Sequence, residues 1–204
     1  MYIDLTHEFT ASMPVFPGDV APELIKTADV FKDGISDYQI KTGMHIGTHI
    51  DAPAHMLAGG KNLHEYPVSR FFGRGIVIDA RGKSSADVKL LENIKMKKND
   101  IVLVCFGWSS EFGNEEYYLN YPVVTENFAS RLASLGVSIL GLDTPSPDRA
   151  PYSTHKILFK QDILIIENLT NLEHLVGKAQ FEVIALPAKF QTDAAPARVV
   201  AKIK

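Results

Sequence analysis

Eleven consecutive residues, His45-Ile46-Gly47-Thr48-His49-Ile50-Asp51-Ala52-Pro53-Ala54-His55, hold three of the chain's seven histidines and an aspartate. A lone histidine is usually a surface group or a hydrogen-bonded core residue. Three of them with a carboxylate in so short a stretch point to a metal centre. Spacing then limits the geometry. In an extended strand His45 and His49 would stand about 13 Å apart at ~3.3 Å per residue. Two nitrogens on one zinc ion, each about 2.1 Å from it, must come within about 3.5 Å of each other. A helical turn, or a bend at Gly47, brings them together. Pro53 disfavours helical backbone at Ala52, so the chain straightens there, turning Asp51 inward and carrying His55 past the metal. His45, His49 and Asp51 form a three-ligand set with open positions, as a catalytic centre requires. His55, beside the metal but not on it, is placed to move protons. No cysteine joins the set, which argues against a closed structural zinc site; nitrogen and carboxylate donors suit zinc, manganese or iron in a catalytic role.

The rest of the chain must supply a scaffold for these groups. Its 204 residues fit one domain, spanning 1–204, and 46% hydrophobic content is enough for a core. A net charge of −3 offers no electrostatic footprint for nucleic acid, and no basic tail marks a membrane surface. The start, Met1-Tyr2-Ile3-Asp4-Leu5, has no basic or apolar leader pattern, and no apolar run approaches the roughly 18 residues of a membrane helix, so a cytoplasmic protein is expected. Cys105, the one cysteine, sits in the apolar run Ile101 to Phe106 and reads as a buried, inert thiol.

Strands are predicted at Gly75 to Asp79, Ile101 to Phe106, Val137 to Leu142, Asp162 to Ile166 and Phe181 to Leu186. The middle three are nearly continuous apolar runs, as in strands covered on both faces. Tyr38 to Thr42 alternates like a half-buried strand. Ser85 is expected to cap a helix carrying Val88, Leu91 and Ile94, and Thr125 one carrying Phe128, Leu132 and Leu135 that stops at Gly136. A helical turn is expected over Asn171 to Leu175. Strands first, then strands and helices in alternation, make a mixed α/β domain. The Pro-rich stretches Met13 to Asp19 and Asp143 to Asp148 read as ordered loops, where sites tend to sit.

The eleven-residue segment is similar to the signature of the bacterial metal-dependent kynurenine formamidase and cyclase family, His-x-Gly-Thr-His-x-Asp-x-Pro-x-His. The resemblance runs along nearly the whole chain. Asp4-Leu5-Thr6 looks like the opening strand, Pro14 to Asp19 and Gly141 to Ser146 like two active-site loops, and His155 with Glu167 like the distal ligand pair. It implies a swivelling β/β/α domain with a mixed sheet, assembled as a homodimer or homotetramer. It also implies two divalent ions per chain, zinc or else manganese. His45, His49 and Asp51 would hold the first, and Asp51, His155 and Glu167 the second, with His55 as general acid/base. The implied reaction is hydrolysis of an aryl formamide such as N-formylkynurenine, a step of tryptophan catabolism, by a metal-bound hydroxide.

Other residues carry weaker signals. His155 alone reads as a loop histidine, and Glu167 ends an apolar run where a carboxylate is costly unless a cation meets it. Asp143 and Asp148 read either as turn formers or as carboxylates that orient ligand imidazoles. Trp108 lines a pocket or packs in the core; His7, His64 and His174 are ordinary histidines. Phe16 stands where formamidases of the family commonly carry tryptophan. It keeps an aromatic face for substrate binding but loses area and the indole donor. The rival readings are a ring-opening hydrolase of a cyclic amide or lactone, of the isatin hydrolase kind, and a metal-assisted binding protein without turnover. A serine hydrolase is disfavoured by the absence of a Gly-x-Ser-x-Gly elbow.

Overall fold

The computed structural model of the chain describes residues 1–203. In chain order its strands are β1 (Tyr2–Asp4), β2 (Glu23–Ala28), β3 (Asp37–Lys41), β4 (His49–Asp51), β5 (Phe72–Asp79), β6 (Ser85–Ala86), β7 (Ile101–Cys105), β8 (Val123–Val124), β9 (Ile139–Leu142), β10 (Leu164–Glu167), β11 (Phe181–Pro187) and β12 (Ala194–Ile203). The α-helices are α1 (Val30–Asp33), α2 (Glu126–Leu135) and α3 (Ser153–Lys160). None is long and apolar enough to cross a membrane.

The apolar runs form the parallel centre of a mixed sheet, β5-β7-β9-β10, as their composition demands. Along β7 the side chains alternate between two cores: Ile101, Leu103 and Cys105 join Ile50, Ile166 and Val183, while Val102 and Val104 join Phe128, Leu132 and Leu158. Both faces are therefore covered. The second core lies under α2, which is built as its sequence requires. Thr125 Oγ1 accepts the Phe128 N–H at 3.3 Å, and Gly136 closes the helix at φ 67°. Fully burying Phe128 and Leu132 contributes about 1.5–3 kcal/mol each.

Antiparallel strands complete the sheet in the order β1-β12-β11-β5-β7-β9-β10-β4. The long β12 also pairs with β4 through Ala194 to Pro196, closing the sheet into a barrel-like ring. This closure places β4 between β10 and β12, and so brings residues 49–51 together with residues 165–167 and 194–196.

Three local expectations are corrected. Ser85 caps no helix: Ser85–Ala86 pairs with Val123–Val124, and a single 3-10 turn, Val88–Leu91, starts at Asp87, whose carboxylate accepts the Lys89 N–H. Asn93, at φ 65°, turns the chain away before a helix can reach Ile94. The alternating strand near Tyr38 exists, but it pairs only with β2 in a separate hairpin, and every residue of it is exposed. His155 lies on α3 and not in a loop. Tyr152 at its cap position makes no side-chain capping bond, and the Asp148 carboxylate, which accepts the Thr154 N–H, serves its N-terminus instead. The turn expected near Asn171 is a 3-10 turn over Leu172–Leu175.

Candidate metal centre

The chain reaches β4 through a bend, at Gly47 as the spacing allowed. Gly47 has φ +62°, the left-handed conformation that favours glycine, and a Cβ there would have to displace the flexible end of Met13, whose Cε lies 2.5 Å away. The bend exposes the Gly47 carbonyl to its own neighbour: His49 Nδ1 lies 2.8 Å from it. That bond places the ring proton on Nδ1 and leaves the Nε2 lone pair free. Asp51, two residues along the strand, shares a face with His49, and its Oδ1 lies 3.2 Å from His49 Nε2 and 2.9 Å from His45 Nδ1. Ala52 is extended (φ −114°, ψ 163°) before Pro53, and a 3-10 turn over Pro53–His55 follows. Gly60 backs that turn so closely that a Cβ would lie 2.5 Å from the Pro53 carbonyl carbon.

Residues from beyond position 140 complete the cluster. Glu167 ends β10 directly opposite His49 in the antiparallel register. Its two oxygens lie 3.4 Å from His49 Nε2 and 3.4 Å from His155 Nε2. His155 stands in the first turn of α3, where Asp148 Oδ2 accepts the backbone N–H of Thr154 and His155 and Oδ1 lies 2.5 Å from His155 Nδ1. One carboxylate thus caps the helix and holds the ring with Nε2 toward Glu167. The neighbouring Asn168 donates to the Gly47 carbonyl at 2.9 Å and accepts the Tyr117 hydroxyl at 2.8 Å, locking the bend to β10.

His45, His49 and Asp51 present donor atoms within 4.8 Å of one another, as do Asp51, His155 and Glu167. Two buried polar atoms of the cluster, His49 Nε2 and Asp51 Oδ1, make no well-aligned hydrogen bond although they lie 3.2 Å apart. Leaving such atoms unsatisfied is costly, whereas a cation between them would use both lone pairs. The donor set therefore fits divalent metal, with Asp51 shared between the two groups. Electrostatics agree. Burial opposes the charge on His49 and on Asp51, yet their mutual attraction, with Glu167 and His45 beside them, holds His49 well above the ordinary imidazole range and Asp51 well below that of a carboxylate. Burial likewise lowers His155, but Asp148 and Glu167 outweigh it and bring it to about 9.

The cluster opens on a cavity of about 220 Å³. His45, His55, His155 and Glu167 line it, together with Phe16, Tyr118, Met56 and Tyr152. Phe16 meets the Tyr118 ring edge-on, centroids 5.6 Å apart. His55 is partly buried, with its ring 4.1 Å from that of His45. All seven residues singled out from the sequence, His45, His49, Asp51, His55, His155, Glu167 and Phe16, border the cluster or its cavity.

Asp143 plays no part in orienting a ring. It accepts N–H groups from Phe106, Gly107 and Trp108, anchoring the end of β7, while burial pushes it up to about 6. Trp108 donates to the Tyr117 carbonyl at 3.0 Å and packs against the core. His174 is exposed, and His64 lies on a separate apolar hollow beside Leu186. Sequence reading missed Asp193, whose Oδ2 contacts both His45 and His55, and Tyr118. A lone Asp before a strand and one Tyr of a Tyr-Tyr pair carry no local signal.

A closed mixed sheet carrying a buried histidine–carboxylate cluster beside a cavity with aromatic lining defines a protein class whose site could hold divalent metal. The family described as "Putative cyclase" matches residues 3–149, and the chain belongs to this cyclase family. The kynurenine formamidase of Bacillus cereus is 30% identical over 204 residues, covering 98% of this chain and 96% of that protein. A solved structure described as a potential metal-dependent hydrolase with cyclase activity is 28% identical and superposes with a TM-score of 0.85, over 100% of this chain and 98% of the other. Isatin hydrolase A from Labrenzia aggregata, bound to benzyl benzoate, shares the fold with a TM-score of 0.89 at 22% identity, over 100% and 93% of the two chains. The relatives place the chain among hydrolases.

Proposed function

We propose that the chain is a two-metal amidohydrolase that cleaves the C–N bond of an aryl formamide such as N-formylkynurenine. The observation that carries this reading is the pair of buried atoms His49 Nε2 and Asp51 Oδ1, in contact with His45 and Glu167, which line a cavity that also has aromatic groups around it. In it, His45, His49 and Asp51 hold one divalent ion, and Asp51, His155 and Glu167 the other, both zinc or alternatively manganese. When bound, such ions would supply Lewis-acid chemistry, making a water more acidic as nucleophile and polarising the substrate carbonyl.

The chain's own groups do the rest. Phe16 and Tyr118 hold the aromatic ring against one wall, so that the formamide reaches the cluster. Among the described residues the lining contains no lysine or arginine, and the polar groups beside the aromatic walls include Asp19, Ser146, Tyr152 and Asn168. His55 takes a proton from the attacking water and delivers it to the nitrogen as the C–N bond breaks. The name carried by the Bacillus cereus relative supports the formamide as substrate.

Ring-opening of a cyclic amide or lactone would use the same residues, because the same carbonyl chemistry serves a ring. A binding protein without turnover would have no use for His55 beside the ions. The deciding experiment is metal analysis of the purified protein beside turnover assays on an aryl formamide and on isatin. Turnover of the formamide with bound metal supports the proposal, and turnover of isatin alone transfers it to the ring-opening reading. Metal-loaded protein inactive on both abandons the hydrolytic assignment.

The proposal includes assembly as a homodimer or homotetramer. The β2–β3 hairpin supports this, for it presents Leu24, Ile25, Tyr38 and Ile40 to solvent, with Val30 and the 96%-exposed Phe31 at its tip. Leu24, Tyr38 and Ile40 share one face of the hairpin in this register, and apolar groups exposed together in this way are ordinarily covered by a partner, here a second copy.

A further inference from the structure

Asp193 arrives at the site from the far end of the chain, between β11 and β12. Its backbone is pinned there: the Asp193 carbonyl accepts the Ala52 N–H at 2.8 Å, and the next residue, Ala194, pairs with Asp51. The strand pair that presents Asp51 to the cluster from one side therefore presents the Asp193 carboxylate from the other. A single oxygen, Oδ2, lies 3.1 Å from His45 Nε2 and 3.2 Å from His55 Nδ1. A carboxylate oxygen has two lone pairs and can accept both N–H groups at once. The remaining nitrogen of His45, Nδ1, lies 2.9 Å from Asp51 Oδ1, on the side of the buried cluster.

We propose that Asp193 is a positioning residue that fixes the tautomers of His45 and His55 together. Held with its proton on Nε2, His45 offers Nδ1 to a metal. Held with its proton on Nδ1, His55 keeps the Nε2 lone pair available to accept a proton in the cavity. The logic is that of a carboxylate behind a catalytic imidazole, with one carboxylate serving two rings. This rests on the reading of His55 as the proton-moving group. The competing arrangement is that His45, His55 and Asp193 together ligate an ion, since their donor atoms also lie within 4.8 Å of one another.

The test needs no substrate for its first arm. Nitrogen NMR of histidine-labelled, metal-free protein, with His55→Ala used for assignment, reports the His55 tautomer directly. The Nδ1–H form is expected in the unaltered chain, with a shift toward Nε2–H in Asp193→Ala. Asp193→Asn preserves size and fold, and its amide group competes for the same ring nitrogens, so it should shift the equilibrium in the same direction but less far. In the second arm, both variants should still reach the full metal complement at saturating metal, with affinity weakened about 10- to 100-fold through His45, while kcat on an aryl formamide falls with KM little changed. An unchanged His55 tautomer in both variants overturns the proposal, and so does failure to reach the full complement at saturating metal, which would make Asp193 a ligand. If no formamide is turned over, the formamidase reading fails while the tautomer measurement still stands or falls alone.

Discussion

Glu167 faces His49 directly across the β4–β10 strand pair, and its second oxygen reaches His155 on α3. One carboxylate thereby joins the local histidine segment to a helix that begins more than 100 residues later. Because Asp51 belongs to both donor groups while Glu167 spans two of the histidines, metal occupancy should be separable by mutation.

The chain should bind about two divalent ions, and His155→Ala should release one while the other stays. Elemental analysis of both proteins checks this. One ion per fully loaded unaltered chain would exclude a two-metal centre.

His55→Ala should keep both ions yet lose roughly 10²- to 10⁴-fold in turnover, the usual range for general acid–base catalysis. His49→Ala should lose metal and activity together, since the Gly47 carbonyl already fixes its ring for ligation. A metal-depleted His55→Ala protein would make His55 a ligand.

Phe16→Ala should weaken aromatic substrates by roughly 0.5–1.5 kcal/mol beyond the lost area and touch small aliphatic formamides much less. Its edge contact with Tyr118 gives it a second role as a brace, which predicts a similar pattern for Tyr118→Ala. Specificity constants on an aryl and an alkyl formamide decide the matter. Equal losses on both would mean that Phe16 shapes the loop and reads no ring.

His7 should tune acid stability. Its ring stacks on Phe112 at 3.8 Å, its Nε2 is buried without a partner, and burial pushes its pKa down to about 4. The unfolded chain takes up the proton near pH 6.5 and the folded one near 4, so stability is lost as pH falls through that window and is unaffected above it. His7→Phe retains the stack and removes the proton uptake, so its Tm should fall less than that of the unaltered chain between pH 6.5 and 4. Parallel Tm curves would place the acid lability elsewhere.

Phe31→Asp should lower the oligomeric state measured by light scattering, leaving the fold intact by circular dichroism, because Phe31 touches no core of its own subunit. An unchanged mass would remove the hairpin from the assembly surface.

What the sequence alone determined lies where the physical constraint is local. Gly47 and Pro53 restrict backbone angles within the eleven-residue segment; they allowed a helical turn or a bend to bring His45 and His49 together, and the structure has the bend. Thr125 and Gly136 bound α2 for the same reason, and continuous apolar runs announced strands covered on both faces. His155 and Glu167 were assigned through family resemblance, for neither has a telling neighbour. Tertiary structure decided everything that depended on the sheet closing. Asp143 and Asp148 look alike in the sequence, but one anchors the end of β7 and the other caps α3 and holds His155. Ser85 has the side chain of a helix cap and is drawn into a strand pair by Val123. Asp193 stands 138 residues from His55 along the chain, and only the pairing of β12 with β4 sets them in contact. Local sterics act over a few residues and can be read from them; strand register is a property of the whole ring.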